Sequence, residues 1–120
     1  MPWNLNSDIP IFIQIIDHLQ NDIVSGFYKP GDKLPSVREL AAEAGVNPNT
    51  MQKALSEFEL TGLVHSERTS GRFITEDQKL IKELKTSLVK TQIKEFFENM
   101  KKLGLTENEI LQLVKEHADK

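Results

Sequence analysis

The sequence has no cysteine, which excludes disulfide bonds and thiolate chemistry. It also lacks any apolar run approaching the roughly 18 residues that span a bilayer, and it has no basic-then-apolar leader. We therefore expect no membrane partner and a cytoplasmic location. With 120 residues, 38% hydrophobic and 28% charged, the composition is typical of one globular domain, or of one small domain with an appendage.

Signals for catalysis and metal binding are missing as well. There is no glycine-rich phosphate loop, and no serine, histidine and acid arrangement on a plausible scaffold. His18, His65 and His117 are far apart in sequence and lack the i, i+4 spacing of a metal site. Glu57 and Glu59 lie on diverging faces of one predicted helix, which indicates a solvated surface. We expect neither an enzyme nor a bound metal or cofactor.

Acidic residues are absent from one helix-sized window. The chain carries 15 Lys and Arg against 18 Asp and Glu, yet no acid occurs between Glu43 and Glu57. Asparagine, threonine, glutamine and lysine occupy this window instead. Net acidity argues weakly against nucleic acid as a partner, but a local acid-free surface on an acidic body is compatible with one.

Hydrophobic spacing and capping residues predict three helices in the first half of the chain. Ser36 and Glu39 form a capping box that starts a short helix, and Gly45 supplies the positive φ that ends it. Asn47 then caps the next helix, with Pro48 at its first position. The three predicted helices cover about residues 10–25, 36–44 and 47–61.

A small hairpin and a helical tail follow. Residues 64–67 and 72–75 alternate loosely around a Ser-Gly turn, which predicts two paired strands. A helix, a helix-turn-helix and a β-ribbon, in this order, are the elements of a winged helix. We predict a mainly α fold with a small β-hairpin: an N-terminal winged helix-turn-helix domain over residues 1–75, and a two-helix C-terminal dimerisation tail over residues 76–120.

The polar residues of the third predicted helix indicate a surface that contacts DNA bases. If its apolar residues face the core, its polar residues face outward, and the major groove of DNA accepts such a helix. An acid on that face would repel phosphates, which explains the acid-free window. A polar outer face is also what any surface helix has, and Arg38 also fits an ordinary solvated position. The residues predicted to contact DNA are Lys33, Ser36, Arg38, Asn47, Asn49, Thr50, Gln52, Lys53, Arg68, Thr69, Ser70, Gly71 and Arg72.

Three segments, "IPIFIQI", "GFYKPGDKLPSVRELAAEAGVNPNTMQKALSEFELTGLV" and "SGRFIT", resemble the DNA-binding domain of GntR-family bacterial transcription regulators over about residues 9–75. The length and the helical tail are similar to those of the short YtrA-like subfamily. The resemblance implies a homodimeric regulator, with repression as the expected sign, that binds an inverted-repeat operator and often controls an ABC-transporter operon. It also implies DNA contacts by Arg38, by the polar positions Asn49, Thr50 and Gln52, and by the wing. The wing lacks the first glycine and the lysine that the family usually has.

The tail carries apolar stripes that two helices cannot bury alone, so we expect them to form a dimer interface. Its predicted members are Leu84, Leu88, Phe96, Phe97, Met100, Ile110, Leu113, Val114 and His117.

Two alternatives stay open. Phe96, Phe97 and Met100 are also compatible with a small effector crevice between protomers. The winged helix is also compatible with a protein–protein contact module whose docking face is the acidic first helix.

Overall fold

The computed structural model describes residues 3–120. Within these residues the chain forms five α-helices and one antiparallel hairpin, which confirms the predicted fold class. In chain order the elements are α1 (Ile11–Val24), α2 (Val37–Ala44), α3 (Pro48–Glu59), β1 (Val64–Glu67), β2 (Gly71–Ile74), α4 (Gln78–Lys102) and α5 (Glu107–Ala118). The chain divides into two compact units, the first ending at Lys82 and the second spanning Glu83–Lys120. No helix within residues 3–120 is both long and apolar enough to cross a membrane.

The core of the first unit is built by three helices, with α1 and α2 both packed on α3. Apolar side chains at helical spacing supply it, and burying each large one contributes roughly 1.5–3 kcal/mol. As a result α3 is anchored in the core through its inner face, while its outer face stays in solvent. The buried helical side chains are Ile15, Leu19, Ile23, Leu40, Ala41, Ala44, Met51, Ala54, Leu55 and Phe58.

The turn between α2 and α3 has the geometry that its residues predict. Ser36 Oγ accepts the Glu39 N–H at 3.2 Å, and the Glu39 carboxylate accepts the Ser36 N–H at 3.1 Å. Gly45 ends α2 with φ of 75°, in the left-handed region that glycine tolerates best. Asn47 then caps α3, its side-chain oxygen accepting the Asn49 N–H at 2.7 Å. These local bonds set the angle at which α3 leaves the turn.

The hairpin pairs β1 with β2 in the register Val64↔Ile74 to Glu67↔Gly71. The predicted second strand therefore begins one residue too late. A preceding segment extends the ribbon on its other side: the Leu34 N–H donates to the Arg72 carbonyl at 2.8 Å, and the Ile74 N–H donates to the Asp32 carbonyl at 2.8 Å. Val64 and Ile74 are buried. These bonds give support that an isolated two-stranded ribbon lacks.

The second unit contains most of α4 and all of α5. Among the described residues α4 has no buried side chain, and α5 has one, Ile110. Thr106 and Glu109 form a capping box at the start of α5, with bonds of 3.2 and 2.8 Å. Gly104 has φ of 92° and lies in the turn between the two helices. Both predicted tail helices are therefore present, with most of their apolar side chains in contact with solvent.

Candidate nucleic-acid interface

The outer face of α3 is polar and free of acid over most of its length. Asn49, Gln52 and Lys53 are exposed, and Gln52 Nε2 donates to Ser56 Oγ at 3.2 Å. None of the ion pairs found within residues 3–120 involves Lys53, so its ammonium group has no carboxylate partner there. Amide side chains and a lysine on one helix face can donate hydrogen bonds to base edges and phosphates.

Thr50 differs from its neighbours because it is half-buried. It lines a crevice of about 560 Å³ together with Trp3 and Leu5, which precede α1, and with the turn between α2 and α3. Trp3 itself stacks on His18 of α1 with ring centroids 3.7 Å apart. Sequence reasoning assigned no role to Trp3, although a single tryptophan close to the predicted first helix was an available signal.

Two of the predicted contact residues use their side chains to cap helices. Ser36 and Asn47 accept the backbone N–H groups that cap α2 and α3. These two side chains therefore fix the start of each helix. Arg38, by contrast, is exposed on α2, and no ion pair within residues 3–120 involves it. Its guanidinium group is available for a bidentate contact.

The hairpin of β1 and β2 is the wing of the predicted winged helix. Its tip exposes Arg68, Thr69 and Ser70 between the two strands. Gly71 follows with φ of 108°, and a Cβ built on it would lie only 3.1 Å from Lys33 Cε. The Lys33 side chain therefore crosses the wing directly over this glycine. The positive φ favours glycine here, because residues with a side chain rarely adopt it. The structure brings Lys33 and Arg68, predicted separately, onto the same small ribbon.

Arg72 is held by an acid that sequence reasoning assigned to a solvated surface. Its Nε–H donates to Glu59 Oε2 at 3.0 Å, and the exposed fractions of the two side chains are only 18% and 24%. The Ser66 hydroxyl donates to the other oxygen of Glu59. Burial alone would raise the pKa of Glu59, but the bonds from Ser66 and Arg72 outweigh it and lower this pKa below its ordinary value. The expectation that Glu59 is solvated is wrong, while Glu57 is exposed as expected.

In the second unit, an apolar groove of about 370 Å³ lies between α4 and α5. It gathers six of the nine residues predicted for a dimer interface, with Ile110 buried and the others partly or largely exposed. Leu84, Leu88 and Phe97 lie outside the groove lining. The lining residues are Phe96, Met100, Leu105, Ile110, Leu113, Val114 and His117. Within residues 3–120, no group of three or more His, Asp and Glu side chains is arranged to hold a metal ion.

Comparison with known proteins adds to this geometry. The family profile described as "Bacterial regulatory proteins, gntR family" matches residues 13–74. The chain is 44% identical over 115 residues to an uncharacterized HTH-type transcriptional regulator, YhcF, of Bacillus subtilis, covering 96% of this chain and 95% of the relative. It is 38% identical over 111 residues to the HTH-type transcriptional repressor YtrA of the same organism, covering 92% and 85% of the two chains.

Solved structures agree with the sequence comparison. A GntR family transcriptional regulator from Listeria monocytogenes superposes with a TM-score of 0.86 at 38% identity, covering 93% of this chain and 98% of that one. The DNA-binding domain of AraR, solved in complex with an operator, matches 62% of this chain and 92% of its own length, with a TM-score of 0.54 and 26% identity.

Proposed function

Because the chain belongs to the gntR family of bacterial regulatory proteins, we propose that it represses transcription by binding an inverted-repeat operator as a homodimer. The family assignment makes the chain a DNA-binding transcription regulator and not an enzyme. The finer elements, namely the operator symmetry, the dimer, the sign of regulation and the contact residues, are our proposal.

The observation that carries this proposal is the exposed outer face of α3, which is free of acid from Asn49 to Ser56. Its inner face is fixed in the core by Met51 and Phe58, both of which are 0% exposed. The helix therefore enters a groove as a rigid body, without first being ordered. Asn49 and Gln52 are proposed to read base edges in the major groove, and Lys53 to hold a phosphate.

Residues outside α3 extend the proposed contact. The guanidinium group of Arg38 on α2 forms no ion pair with any residue in the described part of the chain, which suits a bidentate contact to guanine or to a phosphate. Lys33 and Arg68 on the wing are proposed to reach the flanking backbone, with Thr69 and Ser70 at the tip beside them. Phosphate contacts of this kind fix orientation, whereas the amide side chains of α3 supply sequence preference.

The second unit supports the homodimer. A 25-residue helix with no buried side chain among the described residues exposes apolar surface, including Val89 and Ile93 at 48% and 49%. Leu113 and Val114 on α5 line the groove and expose 51% and 44% of their surfaces. A twofold partner would cover such a surface and present two copies of α3 to half-sites about one helical turn apart, roughly 34–36 Å.

The proposed sign of regulation is supported by the name of a relative. The B. subtilis protein YtrA, 38% identical to this chain over most of both lengths, is named a repressor. Repression follows physically when a dimer occupies an operator that overlaps a promoter. Control of an ABC-transporter operon belongs to the proposal only through the resemblance to YtrA-like regulators, and no residue of the chain carries it.

A second candidate concerns the groove of the second unit. Its volume of about 370 Å³ is within the roughly 300–1,000 Å³ of small-molecule pockets, and its lining is apolar apart from His117. An apolar effector bound there would alter the surface proposed for dimerisation. Such a ligand would raise the melting temperature of the wild type but not of a Val114→Trp variant, in which the indole fills the groove.

Selection of DNA from a random pool by the purified full-length chain tests the main proposal. We expect a palindromic consensus, with two protomers on each duplex in sedimentation velocity. A scrambled duplex of equal length is the control for binding that depends on charge alone. A consensus with a single half-site, or one protomer per duplex, would contradict the homodimer. The absence of any consensus would contradict the assignment of α3 as a reading helix.

A further inference from the structure

A cluster of three side chains joins the end of α3 to both strands of the wing. Glu59 is the last residue of α3, and Ser66 and Arg72 are directly opposite each other in the hairpin. One carboxylate thus accepts a hydrogen bond from each strand, one on each of its oxygens. We call this cluster, Glu59 with Ser66 and Arg72, the Glu59 clamp.

We propose that the Glu59 clamp fixes the position of the wing relative to α3, and that Glu59 thereby strengthens DNA binding although it is an acid. The inference rests on the proposed DNA-contacting role of α3 and the wing. It makes Arg72 a positioning residue, because the Nε–H of its guanidinium group is committed to Glu59. This differs from the expectation that Arg72 contacts DNA directly.

Burial distinguishes the clamp from an ordinary surface ion pair. Glu59 and Arg72 expose 24% and 18% of their side chains, whereas the pair His65–Glu67 on the same hairpin exposes 51% and 54%. Exposed ion pairs contribute little to stability because water screens them. A partly buried carboxylate with a hydrogen bond on each oxygen, by contrast, has a defined geometry. Val64 and Ile74 bury the base of the ribbon in the core, and the clamp attaches its outer part, at Ser66 and Arg72, to the end of α3.

The cations at the wing depend on the strands that the clamp holds. Arg68 immediately follows β1, and Lys33 lies across Gly71 at the start of β2. The Arg72 carbonyl also accepts the Leu34 N–H, so the segment carrying Lys33 is bonded to the clamped residue itself. Loss of the clamp therefore moves Lys33 and Arg68 together relative to the outer face of α3.

The direction in which Glu59→Ala changes DNA affinity separates this role from simple electrostatics. Removing Glu59 removes a negative charge beside a polyanion and frees Arg72, so charge alone predicts that Glu59→Ala binds DNA more tightly. The clamp predicts weaker binding, because the wing loses its phosphate contacts. One phosphate contact contributes about 0.9 to the slope of log affinity against log salt, which corresponds to about eightfold in affinity at 0.1 M salt.

The test is a double-mutant cycle with Glu59→Ala, Arg72→Ala and the double variant, measured by fluorescence anisotropy on the selected operator. Because the phosphate contacts of both Lys33 and Arg68 are lost, we expect each of the three to bind roughly 60-fold more weakly than wild type at 0.1 M salt, with a salt slope smaller by about 1.8. The double variant is no weaker than either single variant, since both remove the same clamp. Hydroxyl-radical footprints lose protection at the outer flanks of each half-site and keep it where α3 lies.

Glu57→Ala is the matched control, because Glu57 is an exposed acid on the same helix and none of the bonds found within residues 3–120 uses its side chain. It should bind DNA as tightly as wild type or more tightly. Glu59→Gln guards against misfolding: its amide oxygen can still accept the Arg72 Nε–H, so its loss of affinity should be smaller than that of Glu59→Ala. Melting temperatures are measured for every variant.

Several outcomes would overturn the clamp. Unchanged or tighter binding by Glu59→Ala and Glu59→Gln would show that Glu59 only repels DNA. A different result would make Arg72 a direct DNA contact: Glu59→Ala binds more tightly, Arg72→Ala binds more weakly, and the affinity change of the double variant is the product of the two. Loss of protection across the whole half-site would indicate general unfolding. If wild type itself selects no sequence, the proposed function fails. If wild type binds the operator and Glu59→Ala binds it equally well, only the clamp fails.

Discussion

Substitution of Phe96 by alanine tests the proposed dimer through one side chain. Phe96 lines the groove of the second unit and exposes 41% of its surface. If its full surface is about 200 Å², roughly 80 Å² is available to a partner. At about 25 cal/mol per Å² this corresponds to roughly 2 kcal/mol per protomer, and to about 4 kcal/mol in a twofold dimer that uses Phe96 twice.

Sedimentation equilibrium measures the consequence. A loss of about 4 kcal/mol raises the dimer dissociation constant roughly a thousandfold. This is an upper figure, because area converts incompletely into affinity when side chains lose freedom on binding. Leu60→Ala is the matched control: Leu60 exposes 81% of its surface but belongs to the first unit, so the dimer should be unaffected by its truncation.

The reasoning is refuted if Phe96→Ala leaves the dissociation constant within about threefold of wild type, that is within roughly 0.7 kcal/mol, while circular dichroism shows the same helix content. The groove would then not be the interface. An equal weakening by Leu60→Ala would show that exposed apolar surface in general, and not this groove, drives association.

Three further predictions concern the DNA-binding unit. Arg38→Ala should lower affinity for the selected operator by roughly 1–3 kcal/mol while leaving nonspecific binding nearly unchanged, and unchanged operator affinity in competition assays would remove Arg38 from the interface. Lys53→Ala should weaken binding to all sequences about equally and reduce the salt slope by about one, whereas a loss confined to the operator would mean that Lys53 reads bases. Because the pKa of Glu59 is lowered in the folded chain, its contribution to the free energy of unfolding is present above the ordinary value of 4.5 and is lost as the pH falls through the lowered pKa. Denaturant titrations should therefore show wild type and Glu59→Gln converging in stability below pH 4.5; a constant difference would contradict the lowered pKa.

Local signals in the sequence predicted most of the fold correctly. The capping pairs Ser36 with Glu39 and Thr106 with Glu109 act over three residues, so their bonds form wherever the helix forms. The positive φ of Gly45 is likewise a property of one residue and its turn. Such features are readable because both partners are close in sequence and the geometry of a helix end relates them.

The hairpin shows where this reasoning fails. Its second strand was predicted one residue too late, and a shift of one residue turns every side chain of a strand to the opposite face. In the observed register Ser66 stands opposite Arg72, so both can reach Glu59. The pattern of a short, loosely alternating ribbon does not determine register, because only Val64 and Ile74 are buried to specify it.

By itself, the sequence determined the order of the elements, the acid-free outer face of α3 up to Ser56 and the apolar stripes of the tail, because each depends on residues within a few turns of one another. Only the tertiary structure decided that Glu59 is bonded rather than solvated, that Lys33 lies over the wing, and which tail residues share a groove. Arg72 and Glu59 are 13 positions apart. Their contact depends on how the hairpin folds back onto α3, which no local periodicity encodes.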